Sequence, residues 1–249
     1  MNFAAILQDA VVVFNVFVLF YFLVLNSIYL ILFLISLAEV LKFVRRTFFS
    51  DYRQIMQSDM TWPISVLIPA YNEERTIVET VRSMLMINYG EFEIIVINDG
   101  SNDGTLRRLA DVYELRRTDR PYKYSIATGR VSAVYGSLAH PNLTVIDKEK
   151  GGKADALNAG INLARYPLFC SIDGDSIIED NALLRVVKPF MEKPIETVAA
   201  GGIVRIVNGC DVRDGRVTRI ALSDRALPIL QVVEYLRAFL TGRVGWSSL

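Results

Sequence analysis

The chain has 249 residues, of which 27 are basic and 27 are acidic, so its formal net charge is zero. This neutral balance gives no electrostatic footprint for nucleic acid, and we expect no nucleic-acid partner. Two cysteines, Cys170 and Cys210, fall in no metal-ligand spacing and are typical of thiols in a reducing compartment. The single histidine, His140, lies in a polar segment and is expected at the surface rather than as a catalytic base.

The first feature along the chain is a long apolar stretch. Residues 11–38 contain no charged side chain. At about 1.5 Å per residue a helix of this length reaches roughly 40 Å, more than the roughly 30 Å hydrocarbon core of a bilayer. A secretory signal peptide is the competing interpretation, but no Lys or Arg precedes the stretch and it is too long for the apolar core of a signal. We therefore predict a transmembrane helix over residues 11–38.

The charges that flank this stretch predict its orientation. Three basic residues follow it directly, Lys42, Arg45 and Arg46, whereas residues 1–10 carry only Asp9 as a charge. The positive-inside rule then places residues 1–10 outside the cytoplasm. We expect a single-pass N-terminal anchor in the cell (inner) membrane, a juxtamembrane linker over residues 39–62 and a cytoplasmic domain over residues 63–249.

Beyond the linker, short apolar runs alternate with stretches of helical periodicity. The apolar runs, which predict buried strands, are residues 64–68, 93–97, 143–146 and 168–172. The periodic stretches, which predict helices, are residues 73–87, 154–164 and 182–190. Asp103 is placed to cap a further helix after the second strand. Alternation of this kind implies an α/β fold with a mostly parallel sheet covered on both faces.

Three further segments lack this clear alternation. Residues 116–142 are long and polar, and we expect a loop or an insertion there. Residues 198–207 are a candidate for another strand. Residues 228–240 are amphipathic, and a helix there either lies in the membrane interface or packs on the sheet.

Polar segments follow four of the predicted strands. They are residues 69–73, 98–105, 150–158 and 173–175. Because the carboxyl ends of parallel strands meet at one edge of a sheet, we expect these segments to converge on one crevice. Together they supply carboxylates, glycines for close backbone approach and lysines for phosphate charge. The 150–153 segment is not a P-loop, since Ala154 follows the lysine where Ser or Thr is required.

The last of these segments, Asp173-Gly174-Asp175, ends a predicted buried strand with two carboxylates. Oxygen ligands suit Mg²⁺ or Mn²⁺, and the intervening glycine lets a diphosphate come close. An acidic turn is the plainer alternative for this segment alone. The three companion segments favour a site for a metal-bridged nucleotide.

In these segments and their order the chain resembles the family 2 glycosyltransferases, which use nucleotide sugars and have the Rossmann-like GT-A fold. It is most similar to the membrane-bound synthases related to the hyaluronan, chitin, cellulose and poly-N-acetylglucosamine synthases. The resemblance covers about residues 64–249. It is carried by Val-Leu-Ile-Pro-Ala-Tyr-Asn-Glu at 66–73, Val-Ile-Asn-Asp-Gly-Ser at 96–101, Lys-Gly-Gly-Lys-Ala-Asp-Ala-Leu-Asn at 150–158 and Asp-Gly-Asp at 173–175.

The resemblance implies a UDP-sugar donor and a nucleotide pocket built from the first two segments. By this resemblance Asp99 would bind the uracil or ribose. Pro69, Tyr71 and Glu73 would line the same pocket.

The resemblance also assigns the diphosphate and sugar region. Lys153 and Asp155 would lie near the diphosphate and the sugar, and Asp173 would contact the ribose or the donor sugar. Asp175 would hold the Mg²⁺ or Mn²⁺ cofactor, which would assist departure of UDP.

The sequence departs from the family pattern after the metal segment. The family's reaction inverts at the anomeric carbon, and its general base is expected in a Glu-Asp or Asp-Asp motif that a Gln-x-x-Arg-Trp-type motif follows. Neither occurs well downstream of the metal segment, where the family has them. Glu179-Asp180 follows that segment after only three residues and Glu234 is a poor substitute, so the catalytic base is unassigned. We therefore expect an N-terminal portion: a fragment, one half of a synthase completed by a second polypeptide, or a donor-binding protein that no longer transfers sugar.

The leading hypothesis is the donor-binding part of an inverting, metal-dependent glycosyltransferase that builds a surface polysaccharide from UDP-N-acetylglucosamine or another UDP-hexose. Two alternatives stay open. One is a non-catalytic membrane scaffold or sensor that retains the nucleotide-sugar fold, and the other is a glycosyltransferase whose acceptor is a lipid phosphate.

Overall fold

The computed structural model describes residues 3–48 and 61–240, and its chain divides into two compact units. One unit contains the N-terminal helix α1 (Phe3–Phe48), residues 203–208 and the last helix, α6 (Ala226–Arg237). The other contains the sheet and the helices packed on it.

Six strands form the main sheet. They are β1 (Ile64–Ala70), β2 (Phe92–Asp99), β3 (Leu115–Arg117), β4 (Val131–Ser137), β5 (Leu143–Lys148) and β6 (Leu168–Ser171). Their spatial order is β3-β4-β5-β2-β1-β6. The pairs β5/β2, β2/β1 and β1/β6 are parallel, whereas β3/β4 and β4/β5 are antiparallel. The predicted α/β fold with a mostly parallel sheet is confirmed.

Four helices cover the two faces of this sheet. They are α2 (Ile77–Leu85), α3 (Thr105–Tyr113), α4 (Lys153–Leu163) and α5 (Ala182–Glu192). Side chains alternate across β2, so Ile94 and Val96 pack with α2, α3 and α5, while Ile95 and Ile97 pack with α4. Asp103 accepts a hydrogen bond from the backbone N–H of Thr105 at 3.0 Å, but the N-cap of α3 is Gly104, so the predicted cap by Asp103 lies one residue outside the helix.

The prediction that residues 116–142 form a loop or insertion is wrong in part. The segment contains the end of β3 and all of β4, which extend the sheet at an antiparallel edge. Antiparallel strands that are only half-buried do not need a continuous apolar run, so β4 was not visible in the sequence. Asn162 binds the irregular part of this segment through two hydrogen bonds to Ile126. Its side-chain oxygen accepts the N–H of Ile126 at 2.9 Å, and its side-chain N–H donates to the Ile126 carbonyl at 2.8 Å.

The strand predicted over residues 198–207 is also wrong. That segment has no regular structure, and a short hairpin follows it instead, with β7 at Asp211–Arg213 and β8 at Arg216–Arg219. Asp214 and Gly215 form its turn with φ of 50° and 74°, which favours glycine. A Cβ at Gly215 would lie 2.7 Å from the backbone nitrogen of Ser83, so the turn packs closely on α2.

The helix α1 is longer than the predicted span. Within the described residues, Leu7–Lys42 is long and apolar enough to cross a membrane, with a mean hydropathy of 2.6 in its apolar window. Polar side chains in it bond to carbonyls one turn earlier, as Asn26 does to Phe22 at 2.7 Å. The first part of the predicted linker continues α1, and residues 49–60 of that linker lie outside the described residues. The predicted boundaries and orientation of the anchor stay predictions.

The predicted amphipathic helix near the end of the chain is present as α6, and none of its residues is buried. Its apolar side chains include Leu230 at 65% and Val233 at 58% relative exposure. Ser36 of α1 donates a hydrogen bond to the carbonyl of Leu240, which follows α6 in the same unit.

Candidate functional site

The loops that follow β1, β2, β5 and β6 are joined to one another at the carboxyl edge of the sheet. The loop after β1 contacts the loop after β2, because the N–H of Asn72 donates to Ser101 Oγ at 3.0 Å. The loop after β2 contacts the loop after β5 just as closely. A Cβ at Gly100 would lie 2.7 Å from the backbone nitrogen of Lys150, and the φ of +65° there also requires glycine.

Two further contacts connect the loop after β6 to α4 and to the end of β1. Lys153, at the start of α4, forms an ion pair with Asp173 after β6. The Asp-Gly-Asp loop then packs on the end of β1, since a Cβ at Gly174 would meet Glu73 Cγ and the Pro69 carbonyl oxygen at 3.3 Å. The four predicted segments therefore do converge on one edge of the sheet.

Asp99 ends β2 and is buried, with a relative exposure of 3%. Its carboxylate accepts three hydrogen bonds from the chain: from Lys148 Nζ at 2.7 Å, from the N–H of Gly151 at 2.9 Å and from the N–H of Gly152 at 2.7 Å. A carboxylate offers about four acceptor positions, so one has no partner in the described part of the chain. Asp99 thus holds the glycine turn of the third segment in place.

Lys148 ends β5 on the same face, and its side chain is fully buried. Its ammonium also pairs with Asp155 Oδ2 at 2.5 Å. Burial opposes the charged form, but the hydrogen bonds to Asp155 and Asp99 outweigh it and raise the pKa of Lys148. The hydrogen bond from Lys148 in turn lowers the pKa of Asp155. Asp155 additionally accepts the N–H of Gly129 at 2.9 Å.

Lys153, Asp173 and Asp175 are exposed at this edge. Asp173 is engaged by Lys153, whereas Asp175 has no protein partner among the described residues. No group of three or more His, Cys, Asp or Glu side chains in the described part of the chain could hold a metal ion unaided. A single free carboxylate fits Mg²⁺, which is commonly bound by one or two carboxylates together with substrate phosphates.

The first segment contributes an aromatic ring and an acid. Tyr71 is exposed, and Lys150 Nζ lies over its ring. Glu73 is half-buried, and its carboxylate accepts a hydrogen bond from Thr76 Oγ1 at 2.8 Å. Its backbone N–H donates to Thr105 Oγ1 at 2.9 Å, which fixes the loop against the start of α3.

The opposite face of the sheet carries a cavity of about 460 Å³ between α3 and the ends of β2, β4 and β5. Asn98 and Asp147 line it, and Asn98 donates to Asp147 Oδ1 at 2.7 Å. Because neighbouring strand residues point to opposite faces, this cavity is separate from the face on which Asp99 and Lys148 lie.

The structure brings together the predicted residues Pro69, Tyr71, Glu73, Asp99, Lys153, Asp155, Asp173 and Asp175. Their ligand contacts stay predictions. Sequence reasoning missed Lys148, whose only signal was a lysine at an inward-facing position of an apolar strand. It counted Lys150 only among the lysines that supply charge for phosphate and did not predict its position over the Tyr71 ring.

The sheet and the joined loops at its carboxyl edge define an α/β domain of the nucleotide-sugar transferase class. The family model for glycosyl transferase family 2 matches residues 65–238. The chain belongs to glycosyl transferase family 2.

Curated relatives include poly-beta-1,6-N-acetyl-D-glucosamine synthases. The protein of that name from Staphylococcus epidermidis is 33% identical over 132 residues, which is 53% of this chain and 26% of the relative. The one from Staphylococcus aureus strain COL is 30% identical over 131 residues, again 53% of this chain and 26% of the relative. The matched part therefore spans about a quarter of the length of these relatives.

Solved structures show a more distant likeness. The S. aureus TarS 1–349 complex with UDP-GlcNAc has a TM-score of 0.38 and 23% identity, covering 52% of this chain and 31% of that one. The mannosyltransferase PcManGT from Pyrobaculum calidifontis, in complex with GDP-Man and Mn²⁺, has a TM-score of 0.38 and 21% identity, covering 66% and 43%.

Proposed function

We propose that this chain is the donor-binding part of an inverting, metal-dependent glycosyltransferase that uses a UDP-sugar. The observation that carries the proposal is the joining of four strand-end loops into one site with exposed lysines and carboxylates. Membership of glycosyl transferase family 2 supports the reaction class. The name of the staphylococcal relatives supports N-acetylglucosamine as the sugar and a growing polysaccharide as the acceptor.

Lys153 and the start of α4 are the proposed diphosphate contacts. Gly152 stands at the N-cap of α4, and no side chain caps this helix. The first backbone N–H groups of a helix attract anions, and the Lys153 ammonium adds a full positive charge beside them. The diphosphate would compete with Asp173 for that ammonium, which would free Asp173 to accept hydrogen bonds from the ribose or the sugar.

Asp175 is the proposed ligand of Mg²⁺ or Mn²⁺. The bound cation would supply charge neutralisation for the departing UDP. Asp99 would orient the uracil or ribose through its remaining acceptor position, and Pro69, Tyr71 and Glu73 would line the same side of the pocket. Asp155, which accepts the N–H of Gly129 and pairs with Lys148, would support the backbone near the diphosphate and the sugar rather than contact them directly.

The acceptor side of the reaction is proposed to need more than the described residues. Within that part of the chain no carboxylate is assigned as the base that deprotonates the acceptor hydroxyl. A further portion of the protein or a second polypeptide would supply it, and α1 would hold the site at the membrane. A lipid acceptor is distinguished from a polysaccharide by extraction of the labelled product into organic solvent.

Calorimetric titration of UDP into the detergent-solubilised full chain, with and without Mn²⁺, tests the proposal. We expect Mn²⁺-dependent binding that Asp175→Ala abolishes. Asp111→Ala is the matched control, since it removes another exposed carboxylate, near the end of α3 that points away from the carboxyl edge. Affinity for UDP that does not depend on metal, or no affinity at all, would overturn the proposal and favour the scaffold function.

A further inference from the structure

The buried ammonium of Lys148 has all of its hydrogen-bonding capacity used inside the protein. Its three N–H groups are matched by three acceptors: Asp99 Oδ1 at 2.7 Å, Asp155 Oδ2 at 2.5 Å and the Glu149 carbonyl oxygen at 2.5 Å. With its side chain fully buried, Lys148 cannot reach a phosphate or a sugar from this position. It therefore differs in kind from the exposed Lys150 and Lys153.

The two carboxylates that Lys148 joins both hold backbone of the site. Asp99 accepts the N–H groups of Gly151 and Gly152, the turn that leads into α4. Asp155 accepts the N–H of Gly129, where the irregular segment before β4 reaches the site. One cation thus connects three pieces of backbone through two acids.

Without this ammonium the same two acids would oppose each other. Asp99 is buried and the Asp155 side chain is 23% exposed, so water would screen their repulsion poorly. Two neighbouring carboxylates with no cation between them are costly to keep ionised together. The pKa of one of them therefore rises. The groups that face the ammonium are these two carboxylates, from β2 and α4, and the Glu149 carbonyl.

We propose that Lys148 is a positioning residue of the donor site, which holds Asp99 and the Gly151-Gly152 turn in the arrangement that the nucleotide diphosphate binds. The inference rests on the proposed function for the identity of the ligand. Lys148 acts through Asp99 and Asp155 and touches neither the donor nor the metal.

Lys148→Met tests the proposal in the full chain, because methionine fills most of the lysine volume without the charge. We expect the Kd for UDP with Mn²⁺ to rise about tenfold or more at pH 8. The loss of UDP affinity should be smaller at pH 6, where one of the two carboxylates takes up a proton. It should also be smaller in the double variant Lys148→Met/Asp155→Asn, which lacks the repulsion between the carboxylates. A Kd within about threefold of wild type at both pH values would overturn the proposal.

Glu93→Gln is the control for general destabilisation. Glu93 is fully buried near the start of β2, at the opposite edge of the sheet from Lys148. We expect Glu93→Gln to have a lower free energy of unfolding than wild type. Its Kd for UDP should stay within about threefold of the wild-type value at both pH 8 and pH 6. Equal loss of UDP affinity in Glu93→Gln and Lys148→Met would overturn the positioning role.

Hydrogen exchange tests the same role without a ligand. The amides of Gly151 and Gly152 should exchange faster in Lys148→Met than in wild type. In Glu93→Gln the same two amides should exchange at the wild-type rate. Asp155→Asn serves if Lys148→Met does not fold, and we expect faster exchange at Gly129 and in the turn. Unchanged exchange overturns the positioning role, whereas absent UDP binding by wild type overturns only the proposed function.

Discussion

The ammonium of Lys150 lies over the aromatic ring of Tyr71, with 3.7 Å between Nζ and the ring centroid. Both side chains are exposed at the carboxyl edge, on loops that follow different strands. The Lys150 ammonium beside the phenol favours the phenolate and lowers the pKa of Tyr71. One face of the ring is thus covered by a cation.

Replacing Lys150 by methionine should raise the pKa of Tyr71 toward the usual value of about 10, because the neighbouring positive charge is lost. Ultraviolet difference titration against Tyr71→Phe isolates this phenol from the other tyrosines. Lys153→Met is the matched control, since it removes an exposed lysine that pairs with Asp173 instead. An unchanged Tyr71 titration in Lys150→Met would contradict the stacked arrangement.

Glu93 is expected to stabilise the end of the sheet that lies away from the site. Its carboxylate is fully buried and accepts hydrogen bonds from Ser65, Arg120 and the backbone of Arg165, at 2.7, 2.9 and 2.7 Å. Burial favours the neutral acid, but these hydrogen bonds outweigh it and lower the pKa of Glu93. Glu93→Gln should therefore reduce the free energy of unfolding by about 2–4 kcal/mol at pH 7.

The direction of this pKa shift also predicts the pH dependence. A lowered folded-state pKa means that the stabilisation is present above the unfolded pKa of about 4.3 and is lost as the pH falls through the folded value. The difference between wild type and Glu93→Gln should thus shrink in acid. Urea unfolding in detergent, followed by near-ultraviolet circular dichroism, measures it. Glu91→Gln, an exposed neighbour, should change stability by less than about 0.5 kcal/mol, and an equal loss there would contradict the burial argument.

Cys170 is expected to react slowly as a nucleophile in the folded protein. Cys170 is partly buried, and this burial raises its pKa to about 11, so the thiolate is a small minority species at pH 8. Iodoacetamide should label Cys170 more than tenfold faster after unfolding in urea than before, as followed by mass spectrometry of its peptide. Similar rates in the folded and unfolded chain would show that β6 opens far more often than its packing implies.

The parts of the fold that the sequence predicted are those in which burial leaves a continuous pattern. Residues 64–68 and 93–97 lie inside β1 and β2. These strands are buried on both faces, so their sequences are nearly continuous apolar runs, which the prediction could use. Their polar ends marked the loops that the structure joins at one edge. The antiparallel β4 escaped prediction, since its side chains are mostly half-exposed and Gly136 interrupts its pattern.

The hydrogen bonds and ion pairs of the site could not be predicted in the same way. A lysine in a short strand is expected to be exposed, and only the fold shows Lys148 closed off between two acids. Asp99 was correctly placed at a strand end, yet its hydrogen bonds to Gly151 and Gly152 depend on how β5 pairs with β2. Such contacts join residues about fifty positions apart, so no local pattern of polarity encodes them.

Gly151 is the position at which adding a single methyl group should disturb these hydrogen bonds most. A Cβ there would lie 2.6 Å from Asp155 Cγ and 2.9 Å from Asp155 Cβ, too close for any side chain. Gly151→Ala should therefore displace the turn, weaken the hydrogen bond to Asp99 and lower the free energy of unfolding by about 1–3 kcal/mol. UDP affinity should fall with it, because the turn leads directly into Lys153.

Gly136→Ala is the matched control for this substitution. Gly136 lies in β4, where an added Cβ would meet no atom within 4 Å, so stability should change by no more than about 0.5 kcal/mol and UDP affinity should not change. Urea unfolding and UDP titration of both variants give the comparison. If Gly151→Ala matched Gly136→Ala in both measurements, the turn would be free to move, and the hydrogen bonds to Asp99 would not determine its position.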